Sequence, residues 1–245
     1  KVAPAVFEEL GASIVAISNN PNGLNINAKC GSLNPQRLQE MVKETKANIG
    51  LALDGDADRI IICDENGEVV DGDIILGLCA RELKNKGKLA KNTLVSTVMS
   101  NLGLENFCKE HGIEMLRAKV GDRYVVENMR TNSFNLGGEK SGHIIFMDHS
   151  TTGDGILAAM KVIEIMLETR KPLSELKKIM TLYPQTLLNL KVKTKPPLEQ
   201  LQHFNHLKNE IEQKLKDRGR ILVRYSGTEP QVRIMVEAED EQNTQ

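Results

Sequence analysis

The chain has 245 residues, with 32 Lys and Arg against 33 Asp and Glu, giving a formal net charge of −1. This charge balance gives no net electrostatic field that would attract polyanions such as nucleic acids. The 3% aromatic content leaves few side chains on which bases could stack. With 40% hydrophobic residues but no apolar run of the roughly 18 to 20 residues that span a bilayer, the sequence predicts a folded globular protein without nucleic-acid or membrane partners.

The first 46 residues predict two helices and one strand. Residues 4–10 have the pattern of a helix end, Gly11 follows as its stop, and residues 12–17 predict a buried strand. Asn34 then predicts an N-cap, with a proline at the first position of a helix over residues 35–46. This alternation is typical of an α/β layer.

The next segment predicts a pair of short strands and a hairpin. Residues 49–53 and 60–63 are apolar and short enough to be strands. The sequence Asp-Glu-Asn-Gly at residues 64–67 predicts a tight turn that leads to a third strand at residues 69–70. The alternation restarts after residue 71, which indicates a second α/β unit.

Beyond residue 71, helices and strands alternate and the pattern then changes. The sequence predicts strands at residues 93–98 and 144–146, and a long helix over residues 154–169. After residue 184 a strand, an amphipathic helix and two further strands predict a small α+β unit. We therefore predict an α/β protein with two α/β domains, the first of them truncated, and a small α+β C-terminal domain, at residues 1–71, 72–184 and 185–245.

Four cysteines are spread through the chain without a C-x-x-C pair or a neighbouring histidine cluster. This spacing favours neither a disulfide framework nor a zinc site. We expect reduced thiols and a cytoplasmic location. The four are Cys30, Cys63, Cys79 and Cys108.

Asp54, Asp56 and Asp58 form an alternating acidic triplet between two predicted strands. Small residues separate them, so their oxygens can converge on one hard cation, and Mg²⁺ prefers a few carboxylates together with water and phosphate oxygen. A solvated acidic turn is the simpler alternative. A calcium loop is another, because Glu65 is twelfth from Asp54, but Arg59 occupies the sixth position where that loop needs glycine. Arg59 is also a candidate to face a transferring phosphoryl group.

A second candidate loop precedes the strand at residues 144–146. Its glycines allow a tight reversal, so that Glu139 and Ser141 project toward the same side, with His143 close behind. Such hydrogen-bonding groups suit sugar hydroxyls. A plain hairpin with polar residues at its tip is the alternative.

A third candidate loop lies between the last two predicted strands and has the composition of an anion site. Backbone N–H groups, two hydroxyls and one or two guanidinium groups together make a phosphate cradle. A hairpin without a ligand is again the alternative. The candidate residues are Arg224, Ser226, Gly227, Thr228 and Arg233.

The three loops together resemble the α-D-phosphohexomutase superfamily, in which DGDxDR carries Mg²⁺, GExSGH contacts the sugar and RxSGTEP holds phosphate. They occur here in that order at residues 54–59, 138–143 and 224–230. The segments at residues 23–27, 97–101, 120–124 and 151–155 are most similar to the bacterial branch that acts on glucosamine phosphates. The resemblance covers essentially the whole chain.

This resemblance implies reversible interconversion of glucosamine 6-phosphate and glucosamine 1-phosphate, a step toward the cell-wall precursor UDP-N-acetylglucosamine. It implies an enzyme phosphoserine, a bisphosphorylated intermediate, Mg²⁺ as cofactor and a hexosamine phosphate as the small-molecule partner. It leaves open a homodimer. The sugar loop is shared with the glucose- and mannose-phosphate mutases, so those substrates are the alternative.

The chain departs from the family because no TASHNP-like segment with the nucleophilic serine occurs in it. The lysine and arginine contributions of the family's first domain are missing as well. We expect a truncated second domain, a complete third and most of a fourth.

Two other classes of protein are alternatives to a mutase. A haloacid-type phosphatase would need an ordered set of Asp, Thr/Ser and Lys motifs that we do not find, and a catalytically inactive sugar-phosphate binding module would need only the surviving loops.

We predict that this polypeptide does not interconvert glucosamine phosphates by itself, because it has no TASHNP-like segment whose serine could carry the phosphoryl group. A mutase assay on purified material, whose intact mass excludes longer species, checks this. Turnover by such a sample would contradict the prediction.

Overall fold

The computed structural model describes residues 2–227, 229–240 and 244, except for the side chain of Asp217. This part of the chain divides into two compact units. The first contains residues 1–100 and 104–180, and the second contains residues 101–103 and 181–245. The predicted boundary after residue 71 lies inside the first unit and stays a prediction.

Helices and strands alternate through most of the described chain. The helices are α1 (Val2–Glu9), α2 (Gln36–Thr45), α3 (Gly72–Asn85), α4 (Leu102–Glu110), α5 (Asp122–Asn132), α6 (Gly155–Thr169), α7 (Leu173–Leu176) and α8 (Gln202–Leu215). The strands are β1 (Gly50–Leu53), β2 (Ile60–Cys63), β3 (Val69–Val70), β4 (Thr93–Thr97), β5 (Glu114–Ala118), β6 (Leu136–Gly138), β7 (Ile144–Phe146), β8 (Gln185–Lys191), β9 (Gly219–Tyr225) and β10 (Gln231–Ala238). None of these helices is long and apolar enough to cross a membrane.

Capping side chains set where several helices begin. Asp71 accepts a hydrogen bond from the Asp73 N–H at the start of α3, and Asp154 accepts one from the Leu157 N–H at the start of α6. The prediction that Asn34 caps α2 was wrong. Pro35 occupies the cap position, because its own carbonyl accepts the first helical hydrogen bond.

The strands β1, β2 and β3 form an antiparallel sheet in that order. The predicted turn between β2 and β3 is confirmed, and Asp64 organises it by accepting from the N–H groups of Asn66 and Glu68 at 2.9 and 3.0 Å. The strand predicted at residues 12–17 does not form. These residues are irregular and largely exposed, since no described strand offers their backbone a hydrogen-bonding partner.

The first unit also contains a four-stranded sheet in the order β5-β4-β6-β7. β4 pairs in parallel with β5 and β6, and β7 closes the edge as an antiparallel neighbour of β6. Helix α5 packs on this sheet and buries a continuous apolar cluster. Its fully buried members are Val95, Ala118, Val125, Met129 and Ile145.

The second unit is an antiparallel sheet in the order β8-β10-β9 with helix α8, as the α+β prediction required. Its central buried polar group is Glu237. Arg220 Nε donates to this carboxylate at 2.5 Å, Gln185 at 2.8 Å and the Leu102 N–H at 3.0 Å. All these partners belong to the second unit, so the buried charge is neutralised within it.

A buried ion pair anchors the β2–β3 turn in the first unit. Lys177 Nζ donates to Asp64 Oδ2 at 2.6 Å and also to Glu68, and the Asp64 side chain is fully buried. Burial lowers the pKa of Lys177, but the hydrogen bonds to these two carboxylates outweigh it and the net direction is upward. The stabilisation is therefore present below the ordinary lysine pKa and is lost as pH rises through the raised value.

We expect Lys177→Met to lower the free energy of unfolding by about 3 to 5 kcal/mol, because it leaves the Asp64 carboxylate buried without its cation. Lys171→Met is the matched control. Lys171 pairs with Glu175 where both side chains are half exposed, so its loss should cost less than about 1 kcal/mol. Urea unfolding measures both, and equal losses would contradict the anchoring role.

Candidate functional site

The loop at residues 54–59 joins β1 to β2 and carries the three predicted metal ligands. Leu53 and Ile60 face each other in the antiparallel pair, so both ends of the loop are fixed. Inside it, the Arg59 N–H donates to Asp54 Oδ1 at 3.1 Å, and the Ala57 N–H donates to the Asp54 carbonyl at 3.2 Å. The local hydrogen bonds therefore close the loop on itself.

The carboxylates of Asp54, Asp56 and Asp58 converge, with one oxygen from each within 4.8 Å of the others. Arg59 Nη1 lies 3.4 Å from Asp54 Oδ2 and 3.3 Å from Asp58 Oδ1. Burial raises the pKa of Asp58. Arg59 and His143 oppose that rise, while the two neighbouring carboxylates add to it. The net direction is upward, and burial is its largest cause.

This donor set fits Mg²⁺. All three side chains offer oxygen, which is the ligand that this cation takes. Asp56 is exposed, so water and phosphate oxygen have access to complete the coordination. The loop is flanked by strands β1 and β2 where an EF-hand needs helices, which excludes the calcium-loop alternative.

The predicted sugar loop is a tight hairpin between β6 and β7. The Glu139 N–H donates to the His143 carbonyl at 2.9 Å, and the Gly142 N–H donates to the Glu139 carbonyl at 3.0 Å. The Glu139 carboxylate accepts from the Gly121 N–H at 3.1 Å and from the Ser141 hydroxyl at 3.2 Å. Glu139 and Ser141 thus form one hydrogen-bonding group, while each carboxylate oxygen keeps capacity for another donor.

The sheet topology puts this hairpin where α/β proteins bind ligands. The chain runs through β4, β5 and β6 in turn, but β4 lies between the other two, so the connections change direction between β4 and β6. Ligands bind outside the carboxyl ends of strands at such a reversal. Glu139 follows the carboxyl end of β6 directly, and Thr97 ends β4.

The metal and sugar loops are held together within the first unit. The Ile60 N–H donates to the Gly142 carbonyl at 3.1 Å, and the Gly155 N–H donates to the Ala57 carbonyl at 2.9 Å. The structure therefore brings two of the three motifs into one site, as their chemistry predicts.

His143 is the third candidate residue of this hairpin, and its predicted contact with the sugar stays a prediction. Its side chain is fully buried, although the sequence interpretation placed it among the sugar-binding groups. Nε2 accepts from the Gly153 N–H at 3.1 Å, and Nδ1 lies 3.2 Å from Asp58 Oδ2. Of the hairpin's three candidate residues, Glu139 is partly exposed and Ser141 is exposed, while His143 is buried.

The predicted phosphate loop is the hairpin between β9 and β10 in the second unit. The Ser226 N–H donates to the Gln231 carbonyl at 2.9 Å, and Ser226 Oγ accepts from the Glu229 N–H at 3.2 Å. Gly227 is exposed at the tip. Thr228 lies outside the described residues, so its predicted contact stays a prediction.

Arg224 and Arg233 are cross-strand neighbours beneath this loop. The Nε atom of each is buried and has no hydrogen-bond partner in the described structure. Burial lowers the pKa of Arg224, and the charge of Arg233 lowers it further. Arg233 also pairs with Glu229 at 2.9 Å. Two adjacent cations with unused donors are the chemistry of an anion site.

Three basic residues near these loops escaped the sequence interpretation. Lys195 Nζ donates to the Ser226 carbonyl at 2.6 Å. Lys119 and Arg123 lie within cation–π distance of the Tyr124 ring, at 5.8 and 4.6 Å from its centroid. The last two flank Gly121, the donor to the sugar loop, at the carboxyl end of β5. A basic residue directly after a parallel strand is the signal that would have found Lys119.

Sequence models of the phosphoglucomutase/phosphomannomutase family match nearly the whole chain. The model of α/β/α domain II matches residues 1–67, that of α/β/α domain III matches residues 71–183, and that of the C-terminal domain matches residues 187–245. The chain therefore belongs to the phosphoglucomutase/phosphomannomutase family, and the predicted fold class is confirmed.

Curated relatives of the chain include phosphoglucosamine mutases. It is 54% identical over 241 residues to that of Citrifermentans bemidjiense and 56% identical over 240 residues to that of Nitratidesulfovibrio vulgaris. In both comparisons 98% of this chain covers 53% of the relative. The chain thus spans about half the length of the curated relatives it matches.

Solved structures have the same fold. A phosphoglucomutase/phosphomannomutase family protein from Burkholderia thailandensis superposes with a TM-score of 0.79 at 25% identity, over 98% of this chain and 54% of that one. The N-acetylphosphoglucosamine mutase of Aspergillus fumigatus, solved with GlcNAc-6P and magnesium, gives a TM-score of 0.66 at 21% identity over 89% and 51%. At that identity the second comparison supports the fold alone.

Gly142 is required where the sugar loop meets β2. Its φ is +89°, and a Cβ atom there would lie 2.0 Å from the Ile60 carbonyl oxygen. We expect Gly142→Ala to destabilise the protein by about 2 to 5 kcal/mol, which combines the left-handed penalty with the overpacking penalty.

Gly87→Ala is the control, since Gly87 has a φ of +66° but nothing within 4 Å of its Cβ position. It should cost only about 1 to 2 kcal/mol, the left-handed penalty alone. Urea unfolding measures both variants. If Gly142→Ala is as stable as Gly87→Ala, the close contact between Gly142 and the Ile60 carbonyl is not required for stability.

Proposed function

We propose that this sequence carries the metal, sugar and phosphate sites of a phosphoglucosamine mutase, which interconverts glucosamine 6-phosphate and glucosamine 1-phosphate. The observation that carries the proposal is the convergence of three aspartates beside the 139–143 hairpin. It is supported by relatives at 52–56% identity that are named phosphoglucosamine mutase. The cytoplasmic location and the homodimer stay predictions, and the free state of all four cysteines fits the former.

In this proposal Asp54, Asp56 and Asp58 hold Mg²⁺, which neutralises charge on the phosphoryl group being transferred. Arg59 keeps Asp54 and Asp58 oriented through its two contacts. Its side chain is 38% exposed and so also offers a positive charge to that phosphoryl group from the side of the loop.

The sugar is oriented by Glu139 and Ser141. Their mutual hydrogen bond and the Gly121 N–H fix the carboxylate before substrate arrives, so little ordering remains to be done on binding. A carboxylate accepts hydrogen bonds from hydroxyls and from the ammonium group of glucosamine. That charge-assisted contact would favour the amino sugar over glucose.

The phosphate that is not being transferred binds the second unit. Arg224, Arg233, Ser226, Gly227 and Thr228 supply guanidinium, hydroxyl and backbone donors to it. The buried, unused Nε atoms of the two arginines support this assignment. Holding one phosphate in place positions the hydroxyl at the other end of the sugar for reaction.

The chemistry requires a serine that this sequence does not contain in a TASHNP-like segment. A phosphoserine passes its phosphoryl group to the free sugar hydroxyl, giving a bisphosphate and a serine hydroxyl. After the sugar turns around, the other phosphate returns to that serine. The relatives are about twice as long as this chain, and we propose that the serine belongs to their remaining length.

Calorimetry on this chain with Mg²⁺ tests the sugar and phosphate sites. Glucosamine 6-phosphate should bind, glucose 6-phosphate should bind more weakly, and Arg233→Met should weaken both. No heat with glucosamine 6-phosphate at millimolar concentration would count against both sites. Stronger binding of glucose 6-phosphate would redirect the proposal to the glucose-phosphate mutases.

We expect Asp56→Asn to weaken binding of Mg²⁺, or of Mn²⁺ as its probe, at least about tenfold, because ligand charge sets affinity for hard cations. Glu110→Gln removes one negative charge from an exposed helix end and is the control. Titration calorimetry measures both. An unchanged Asp56→Asn affinity would dismiss the metal assignment.

A further inference from the structure

His143 is fully buried, yet it belongs to the same site as the exposed ligand groups. Nε2 accepts a hydrogen bond from the Gly153 N–H at 3.1 Å, so this nitrogen carries no proton in the neutral ring. The proton is therefore on Nδ1. The hydrogen-bond pattern thus assigns the tautomer.

Nδ1 points toward the metal loop. It lies 3.2 Å from Asp58 Oδ2, which is within hydrogen-bonding distance but not in hydrogen-bond geometry, and no group in the described structure bonds to it. Asp58 Oδ2 is therefore the oxygen that lies within reach of the Nδ1–H. The other oxygen of that carboxylate, Oδ1, faces Arg59 at 3.3 Å, so the two oxygens have different partners.

The ring has no room to turn away. A Cβ atom on Gly153 would lie 2.6 Å from both Nδ1 and Cε1 of His143, and 2.5 Å from the Asp58 carbonyl oxygen. The imidazole is thus packed between the backbone at Gly153 and the loop that carries Asp58. Such packing fixes the direction in which the Nδ1–H points, toward a residue that is itself a candidate metal ligand.

We propose that His143 is a positioning residue that donates its Nδ1–H to Asp58 and sets the orientation in which this carboxylate binds a divalent cation. It does so without touching sugar or phosphate. The inference rests on the metal site of the proposed function and assigns His143 a role different from the sugar contact expected from its motif.

Titration calorimetry of this chain with Mn²⁺ tests the role without any turnover. His143→Phe keeps a ring of similar size but has no N–H, and we expect 10- to 100-fold weaker binding, the usual loss when a partner of a metal ligand is removed. His143→Asn offers an N–H close to the Nδ1 position and should recover part of the affinity. His111→Phe, at an exposed histidine that contacts the Phe107 carbonyl, should leave it unchanged.

The tautomer of His143 can be measured on the unaltered chain. This measurement tests the positioning role even if His143→Phe does not fold. Long-range proton–nitrogen correlation spectra should show His143 protonated at Nδ1, and its nitrogen signals should shift on addition of Mg²⁺ while those of His111 stay fixed. A ring protonated at Nε2 would overturn the proposal. So would His143 nitrogen signals that do not shift although Mg²⁺ binds.

These measurements distinguish failure of the metal site from failure of the positioning role of His143. If the unaltered chain binds no Mn²⁺, the metal assignment fails and the role of His143 fails with it. If the chain binds Mn²⁺ and His143→Phe binds it equally well, the metal site stands and the positioning role alone is overturned.

Discussion

Close backbone contact between two loops is the constraint on which the first unit's site depends. Gly142 and Gly155 bond the sugar loop and the start of α6 to the metal loop, through the Ile60 N–H and the Ala57 carbonyl. A side chain at Gly142 would occupy the space that the Ile60 carbonyl fills. The carboxylates and the sugar-binding groups are therefore held together by main chain, which varies less in position than side chains do.

The two units carry opposite charge at their sites. Asp54, Asp56 and Asp58 place three carboxylates together beside the single guanidinium of Arg59, while Arg224 and Arg233 place two positive charges together with their Nε donors unused. Each cluster is unfavourable without a ligand of the other sign. A divalent cation suits the first cluster and a phosphate suits the second, which is the electrostatic basis of the proposed function.

The elements with a strong local signal were predicted closely. The β2 strand, its Asp-Glu-Asn-Gly turn and the long helix predicted over residues 154–169 depend on residues near in sequence. The strand at residues 12–17 was wrong because a strand needs a partner, and composition does not report one. The burial of His143 was also missed, since only the tertiary fold brings Gly153 and Asp58 to its ring.

The second unit is built from two separate parts of the chain, which matters for the design of a C-terminal fragment. Residues 101–103 belong to that unit although the chain before and after them builds the first. They give Glu237 its Leu102 donor, and the Asn101 side chain bonds both the N–H and the carbonyl of Tyr183. A fragment that starts at residue 181 would lack these three residues, and with them the Leu102 donor and both hydrogen bonds of the Asn101 side chain.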